Sequence, residues 1–293
     1  TSCTIKSFSK SKLLSLPYCE YGGPLVTENV IPTLPKLIDY AVELSSKLNI
    51  DYIEIRNPSL RNKVFFEDKH FKPIQKYVSF DINLKQQQDV LWNSLNRKNR
   101  NAIRKAMRSD LEIVEIDTGD KKGIEKYYSL YLKVQQRLGS PPHSLKLFKN
   151  FAMMKKNIKI IMVEYEETAV GGMIFFYNKQ GIYWWSGVSD SAHRKLNVTN
   201  YQLWEMIKWG NENGFPRLSL GRTRKDSGVY NFKKRWGGVE VLLTDYIYMI
   251  KKGKINTPDP TNKKYRYLTK AWSHIPMSIS KYVGPYIVKQ IGL

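Results

Sequence analysis

Residues 158–165, 168–178 and 181–188 read as three strand-like runs with no helix between them. Adjacent strands joined this tightly imply an antiparallel portion of sheet. Helical spacing precedes them at 124–138 and 144–154. A helix at 200–213, a short strand at 218–221, a short helix at 230–236 and a long apolar strand at 239–250 follow. That order over residues 125–250 is α/β of the mixed (α+β) kind, with mostly antiparallel sheet flanked by helices. Gly171-Gly172 inside the second run points to a bulge or a close backbone approach.

The remaining chain is long enough for another domain, since 293 residues are about two domains' worth. A short strand interrupted by lysines is expected at 4–16, then a tight turn at Tyr21-Gly22-Gly23-Pro24. A helix at 35–48 and strands at 51–56 and 76–84 follow. Residues 88–108 read as one helix. At 100° per residue Leu91, Leu95, Ala102 and Ala106 fall within about 60° of one another. Arg97, Arg100, Arg104 and Arg108 gather on the opposite side, so the apolar seam docks and an arginine ridge faces out. The Lys-, Pro- and Asn-rich stretch 251–264 reads as a linker. The tail 265–293 is mostly helical, with breaks at Pro276 and Gly284-Pro285.

Lys and Arg number 48 against 26 Asp and Glu, a formal charge of +22. A field of that sign favours polyanions: nucleic acid, phosphorylated substrates or an anionic membrane surface. Two cysteines, Cys3 and Cys19, fit a reduced, cytoplasmic setting. The longest apolar run, 169–177, is about half of what a membrane span needs. No transmembrane segment is expected. The tail 281–293 is suited either to resting on a membrane surface, which would make the protein membrane-associated, or to packing on the first domain. His70, His143, His193 and His274 show no ligand spacing, so no metal site is expected. Nucleophile-elbow, zincin and Walker motifs are absent from the sequence.

The informative segment is 218–238. A strand end delivers Gly221-Arg222 into a loop holding Arg222, Arg224 and Lys225. Ser227 and Gly228 can then cap a short helix carrying Tyr230, Phe232 and Lys233. Cations beside a helix start suit a phosphate or carboxylate, and a plain basic surface turn is the other reading.

This segment resembles the closing motif of the FemAB family, in which a glycine-arginine strand end leads through a Ser/Thr-Gly loop into F-K-x-x-W/F-G. Other pieces agree in order. Pro17-Tyr18 and Tyr21-Gly22-Gly23-Pro24 resemble the family's N-terminal element. Ile103-Arg104-Lys105-Ala106 resembles its arginine-rich helix, and Tyr127 through Arg137-Leu138-Gly139-Ser140-Pro141 resembles a third element. The resemblance implies two tandem GNAT-like domains: residues 1–85, joined by the tail 251–293, and residues 86–250. It implies transfer of an aminoacyl group from charged tRNA onto an amine of a phosphorylated or glycan-linked cell-wall precursor, with no permanently bound cofactor. The lysine of the F-K pair maps onto Lys233, at the reaction centre. Arg222 and Arg224 stand where substrate phosphates are held, with Ser227, Tyr230, Phe232 and Tyr21 as further substrate contacts.

Two departures stand out. No long helical arm fits between residues 81 and 250, and the strands expected before the Tyr-Gly-Gly turn are mostly missing, as in a truncated first domain. An acyl-CoA donor is the alternative. The loop 193–200 that would hold its pyrophosphate lacks glycine but offers Arg194 and Lys195. In Tyr183-Trp184-Trp185, strand alternation would place Tyr183 and Trp185 on one cleft wall, with core packing as the default. Arg97, Arg100 and Arg104 are the nucleic-acid candidates, against a solvated helix face. Asp226 and Asp245 are the carboxylates near the motif, neither assignable as a base. A non-catalytic module binding RNA or an anionic polymer remains the reading from another class.

Overall fold

The structure, a computed structural model, describes residues 3–6, 10–26, 30–58, 63–151, 154, 156–225, 227–251, 253 and 263–291. The chain opens with β1 (Cys3–Lys6), β2 (Ser11–Leu14), α1 (Val30–Lys47), β3 (Tyr52–Ile55), α2 (Lys63–Asp68) and β4 (Lys72–Asn83). Next come α3 (Gln88–Ser94), α4 (Arg97–Ala106), β5 (Leu111–Ile116), α5 (Lys121–Leu138), α6 (Leu145–Phe151), β6 (Ile158–Tyr165), β7 (Thr168–Asn178) and β8 (Gly181–Ser189). The chain closes with α7 (Val198–Glu212), β9 (Arg217–Ser219), β10 (Thr223–Arg224), α8 (Gly228–Lys234), β11 (Val239–Met249), α9 (Lys263–Ser273) and α10 (Met277–Ile291). It divides into two compact units.

The first unit comprises Thr1–Val78, Leu242–Pro260 and Tyr286–Leu293. Strands β1 and β2 form an antiparallel hairpin, where a single interrupted strand was expected, so two strands precede the Tyr21 turn. Strand β2 runs parallel to β3, with α1 as the crossover, and β3 pairs antiparallel with β11 through Tyr246↔Ile55. Leu13, Leu34, Ile38, Ile53, Phe66 and Tyr246 are among the residues of its core.

The second unit comprises Ser79–Val241 and Thr261–Pro285. Strands β5, β6, β7 and β8 form an antiparallel meander. The bounds of β6 and β7 are those expected from the sequence. Strand β9 joins β8 in parallel and β4 antiparallel. Helix α5 turns Ile124, Tyr127, Tyr131 and Val134 onto the meander, where Phe148, Ile160, Met162 and Ile174 complete the core. Tight packing explains Gly171-Gly172. A Cβ on Gly171 would lie 2.3 Å from Val198 Cγ1, and one on Gly172 would lie 2.9 Å from the Tyr127 ring. The β6–β7 register also shifts beside them, between Val163 and Glu164.

Three expectations are corrected. The single helix at 88–108 is two helices, because Asn96 at φ −58°, ψ 144° leaves helical geometry and caps α4 through its side chain to Lys98 N. The apolar seam survives the break, with Leu91, Leu95, Ile103 and Ala106 buried and Ala102 only partly so. Helix α10 continues through Gly284-Pro285 instead of breaking there. The tail is expected whole in the first domain, yet Thr261–Pro285 belongs to the second unit. Gln136 Nε2 donates to Ile275 O at 2.9 Å, and the glycines at 139 and 284 let Thr269 and Pro142 approach within 2.1 and 2.4 Å of where a Cβ would stand. Within the expected linker, residues 252 and 254–262 lie outside the described residues.

Candidate active site

Strands β8 and β9 pair only through Ile182↔Leu218 and Tyr183↔Ser219, while β8 continues to Ser189. Past the end of β9, Gly221 takes a φ of +73°, where glycine is unstrained. Helix α8 then starts at a well-made cap. Ser227 Oγ accepts from Tyr230 N at 3.0 Å and donates to Arg224 O at 2.9 Å.

The cap sets Lys233 on the buried side of α8, 7% exposed. Its Nζ donates to the carbonyls of Gly221 at 2.9 Å and Arg222 at 3.1 Å. It also lies 5.7 Å from the centroid of the Trp184 ring, a cation–π distance. Phe232, half-buried, meets Trp184 edge-on at 6.5 Å and the fully buried Trp236 at 5.9 Å. A burial cost of this kind is met by hydrogen bonds to the ammonium and by the aromatic face.

The end of α8 is tied to two other helices. Asn96 N and Asn99 Nδ2 both donate to Arg235 O, at 3.1 and 3.0 Å. Asn200 Nδ2, at the start of α7, donates to Asn99 Oδ1 at 3.3 Å. Gly237, with φ +74°, follows, and a Cβ there would stand 2.7 Å from Ser94 Oγ and 3.0 Å from Ser94 O. One junction therefore joins the arginine helix, the start of α7 and the helix of Lys233.

On α4 Arg97 and Arg104 are exposed, as is Arg108 just beyond it, while Arg100 is half-buried and donates to Asn93 O at 3.0 Å. Arg104 lies over the Trp92 ring at 5.3 Å. Arg194 and Lys195 are exposed on the 3₁₀ turn Ser191–Leu196. Asn197 ends that turn at φ +54°, doing in this loop what glycine usually does.

The other expected contacts have partners of their own. Tyr230 donates its hydroxyl to Glu240 Oε2 at 2.7 Å and lays its ring near Phe80 at 5.4 Å. Tyr183 OH accepts from Arg217 at 2.9 Å, and Arg217 in turn binds Asp81 Oδ2 at 2.5 Å. Trp185 lies on the same face of β8 as Tyr183, which pairs with Phe176, and the Phe176 ring stands 6.2 Å from that of Trp185. The β7–β8 register shifts between Ile174 and Phe175, opposite Trp184 and Ser186, and leaves Trp185 as the extra residue of a bulge. Trp185 packs among His143, Phe148, Phe151 and Phe176. Burial in that cluster pushes the His143 imidazole down to about 4, so it is neutral at ordinary pH. Tyr21 belongs to the first unit, half-buried beside Gly22, whose N–H donates to Arg56 O at 2.9 Å. Asp245 also belongs there and accepts from Asn57 N, while Asp226 lies outside the described residues.

The structure thus gathers Lys233, Phe232, Ser227 and the backbone of Arg222 and Arg224 at one turn. It adds Trp184 and Asn99, which the sequence reading passed over. Strand alternation sets Trp184 on the face opposite Trp185, but nothing local ties it to Lys233, far along the chain. Asn99 had one, a polar residue on the buried face of an arginine helix.

Residues 95–234 match the family model described as an acetyltransferase (GNAT) domain. The fold is similar to that of FemX at a TM-score of 0.66 and 15% identity, covering 85% of this chain and 83% of the other. It is similar to L-PGS from Bacillus licheniformis at 0.63 and 12% identity, covering 94% and 90%. A tandem GNAT protein from the clavulanic acid biosynthesis pathway follows at 0.50 and 10%, covering 83% and 76%. No curated protein matches the sequence. Residues 95–234 thus match a GNAT domain model, within a chain whose fold is similar to that of FemX.

Proposed function

We propose that the chain is an N-acyltransferase that moves an aminoacyl group from aminoacyl-tRNA onto an amine of a cell-wall or glycan precursor. The observation that carries this reading is the Lys233 ammonium, buried against two backbone carbonyls and Trp184 within the GNAT domain. In ester aminolysis the acceptor nitrogen attacks the acyl carbon and the carbonyl oxygen becomes an oxyanion. The bond from acyl carbon to ribose oxygen then breaks. The nitrogen loses one proton and the ribose oxygen gains one, so the amide forms with no net proton change. A fixed cation in a site that excludes water stabilises either oxygen as charge develops on it. Phe232 offers an aromatic face to an unpaired base, and the α4 arginines, tied to the same helix end, suit phosphates. Arg222 and Arg224 are the assigned contacts to phosphates of the acceptor. The likeness to FemX and L-PGS supports the fold such an enzyme needs.

An acyl-CoA donor is the second reading. It is favoured by the family described as an acetyltransferase, and by Arg194 and Lys195 on the turn ahead of α7. Titrating the protein with acetyl-CoA and, separately, with bulk aminoacyl-tRNA at two salt concentrations separates the readings. Salt-sensitive binding that prefers charged tRNA supports the first, and saturable CoA binding supports the second. Lys233→Ala is expected to lower turnover about 100-fold or more. Lys233→Met, which keeps the buried stem, should do the same with little change in melting temperature. Turnover within twofold of the parent in both variants would overturn the catalytic assignment and leave a binding module.

A further inference from the structure

Helix α10 buries Ser280, Gly284 and Val288, one residue per turn along a single face. Its other side is apolar and uncovered. Ile279 is 51% exposed, Tyr282 68% and Val283 44%, and the same spacing continues to Tyr286 at 74%. Positions i, i+3, i+4 and i+7 fall within about 100° of arc, so these side chains form one stripe along the helix. Tyr267 and Leu268 on α9 are exposed as well, at 73% and 61%. Scattered surface apolar residues need no explanation, but a periodic stripe of large ones does.

Charge identifies what covers it. Residues 263–291 contain Lys263, Lys264, Arg266, Lys270, Lys281 and Lys289 and no Asp or Glu. Lys281 Nζ lies 4.9 Å from the Tyr282 ring centroid, so ammonium and ring sit side by side. Tyrosine and lysine flanking aliphatic residues are the side chains that settle at the boundary between headgroups and acyl chains. Among the described residues no helix is long and apolar enough to cross a membrane. A helix in the interface plane needs no such length.

We propose that the exposed stripe of α10 docks on the surface of a membrane carrying anionic lipid, with the lysines and arginine of the two tail helices among the headgroups. The docking goes beyond the acyl-transfer reading and holds whatever Lys233 does. The test is co-sedimentation of the full chain with vesicles of phosphatidylcholine and of an equimolar mixture of phosphatidylcholine and phosphatidylglycerol. The parent should prefer the anionic vesicles and loosen with salt. The triple variant Ile279→Ser/Tyr282→Ser/Val283→Ser replaces only exposed side chains. It should lose about tenfold or more in vesicle affinity at an unchanged melting temperature. Tyr282→Ser alone should move the same way, which keeps the test usable if the triple variant misfolds. Equal affinity of parent and variants overturns the proposal, since net charge alone would then explain binding. So does a parent dimer that the variants split into monomers, with neither form binding vesicles, because a second copy would then cover the stripe.

Discussion

Glu54 stands between two cations. Lys12 Nζ lies 2.9 Å from one of its carboxylate oxygens and Arg56 Nε 3.1 Å from the other, and all three side chains are about nine-tenths buried. Burial would push the Glu54 carboxyl up, but Lys12 and Arg56 outweigh it and hold it below the ordinary glutamate value. A group whose pKa falls on folding stabilises the fold fully above its unfolded value of about 4.3, and loses that contribution as pH drops through the folded value. Glu54→Gln at neutral pH should therefore destabilise by about 3 kcal/mol, because it leaves two buried cations facing each other. Melting temperature followed from pH 7 down to pH 3 should show the parent losing stability below about pH 4.3, and the variant losing distinctly less. Parallel acid limbs for the two proteins would mean that Glu54 is not the titrating partner. The same residue-scale logic governs Lys233, whose charge is likewise buried, with its ammonium donating to two carbonyls beside an aromatic face.

Among the elements, the junction of α3, α4, α7 and α8 depends on backbone approach as much as on side chains. Gly237 and Gly214 both have positive φ, +74° and +71°. A Cβ at 214 meets nothing within 4 Å, whereas one at 237 meets Ser94. Gly214→Ala should cost about 1 kcal/mol from backbone strain alone, and Gly237→Ala about 2–4 kcal/mol, since Ser94 O cannot give way. Denaturant unfolding of the pair isolates the close approach, and equal losses would show that the contact with Ser94 is unimportant. Legibility in the sequence follows the same division. The bounds of β6 and β7 could be read because each is a long apolar run closed by a two-residue turn. The break between α3 and α4 had a legible sign, an Asn at 96 that caps the second helix, but an arginine-rich run of good helical spacing hid it. Alternation along β8 separates Trp184 from Trp185, but the approach of Trp184 to Lys233 joins positions far apart in the chain, and no local pattern announces it. The bond from Asn99 to Arg235 spans 136 residues and that from Asn200 to Asn99 spans 101, so the junction was beyond any windowed reading.

The chain as a whole carries +22, and that charge binds any polyanion to some degree. Affinity for tRNA therefore says little until the electrostatic part has been divided among surfaces. Each phosphate neutralised releases counterions and steepens the dependence of log K on log salt by somewhat under one. If α4 is the tRNA surface, Arg97, Arg104 and Arg108 are the exposed contributors. Replacing all three with Gln should then flatten that slope by about 2–3 and weaken binding at low salt far more than at high salt. The fold should tolerate the change, because the buried face of α4 is Asn99, Ile103 and Ala106 and is untouched. Replacing the basic residues of α10, Lys281 and Lys289, with Gln removes a similar kind of charge from the tail. It should leave the tRNA slope nearly as it was while lowering affinity for anionic vesicles. The two sets of variants, each measured against both ligands, distinguish a chain with separate RNA and membrane surfaces from one whose binding follows net charge alone. An equal flattening of the tRNA slope by both sets would establish the latter, and would remove α4 as a specific tRNA surface.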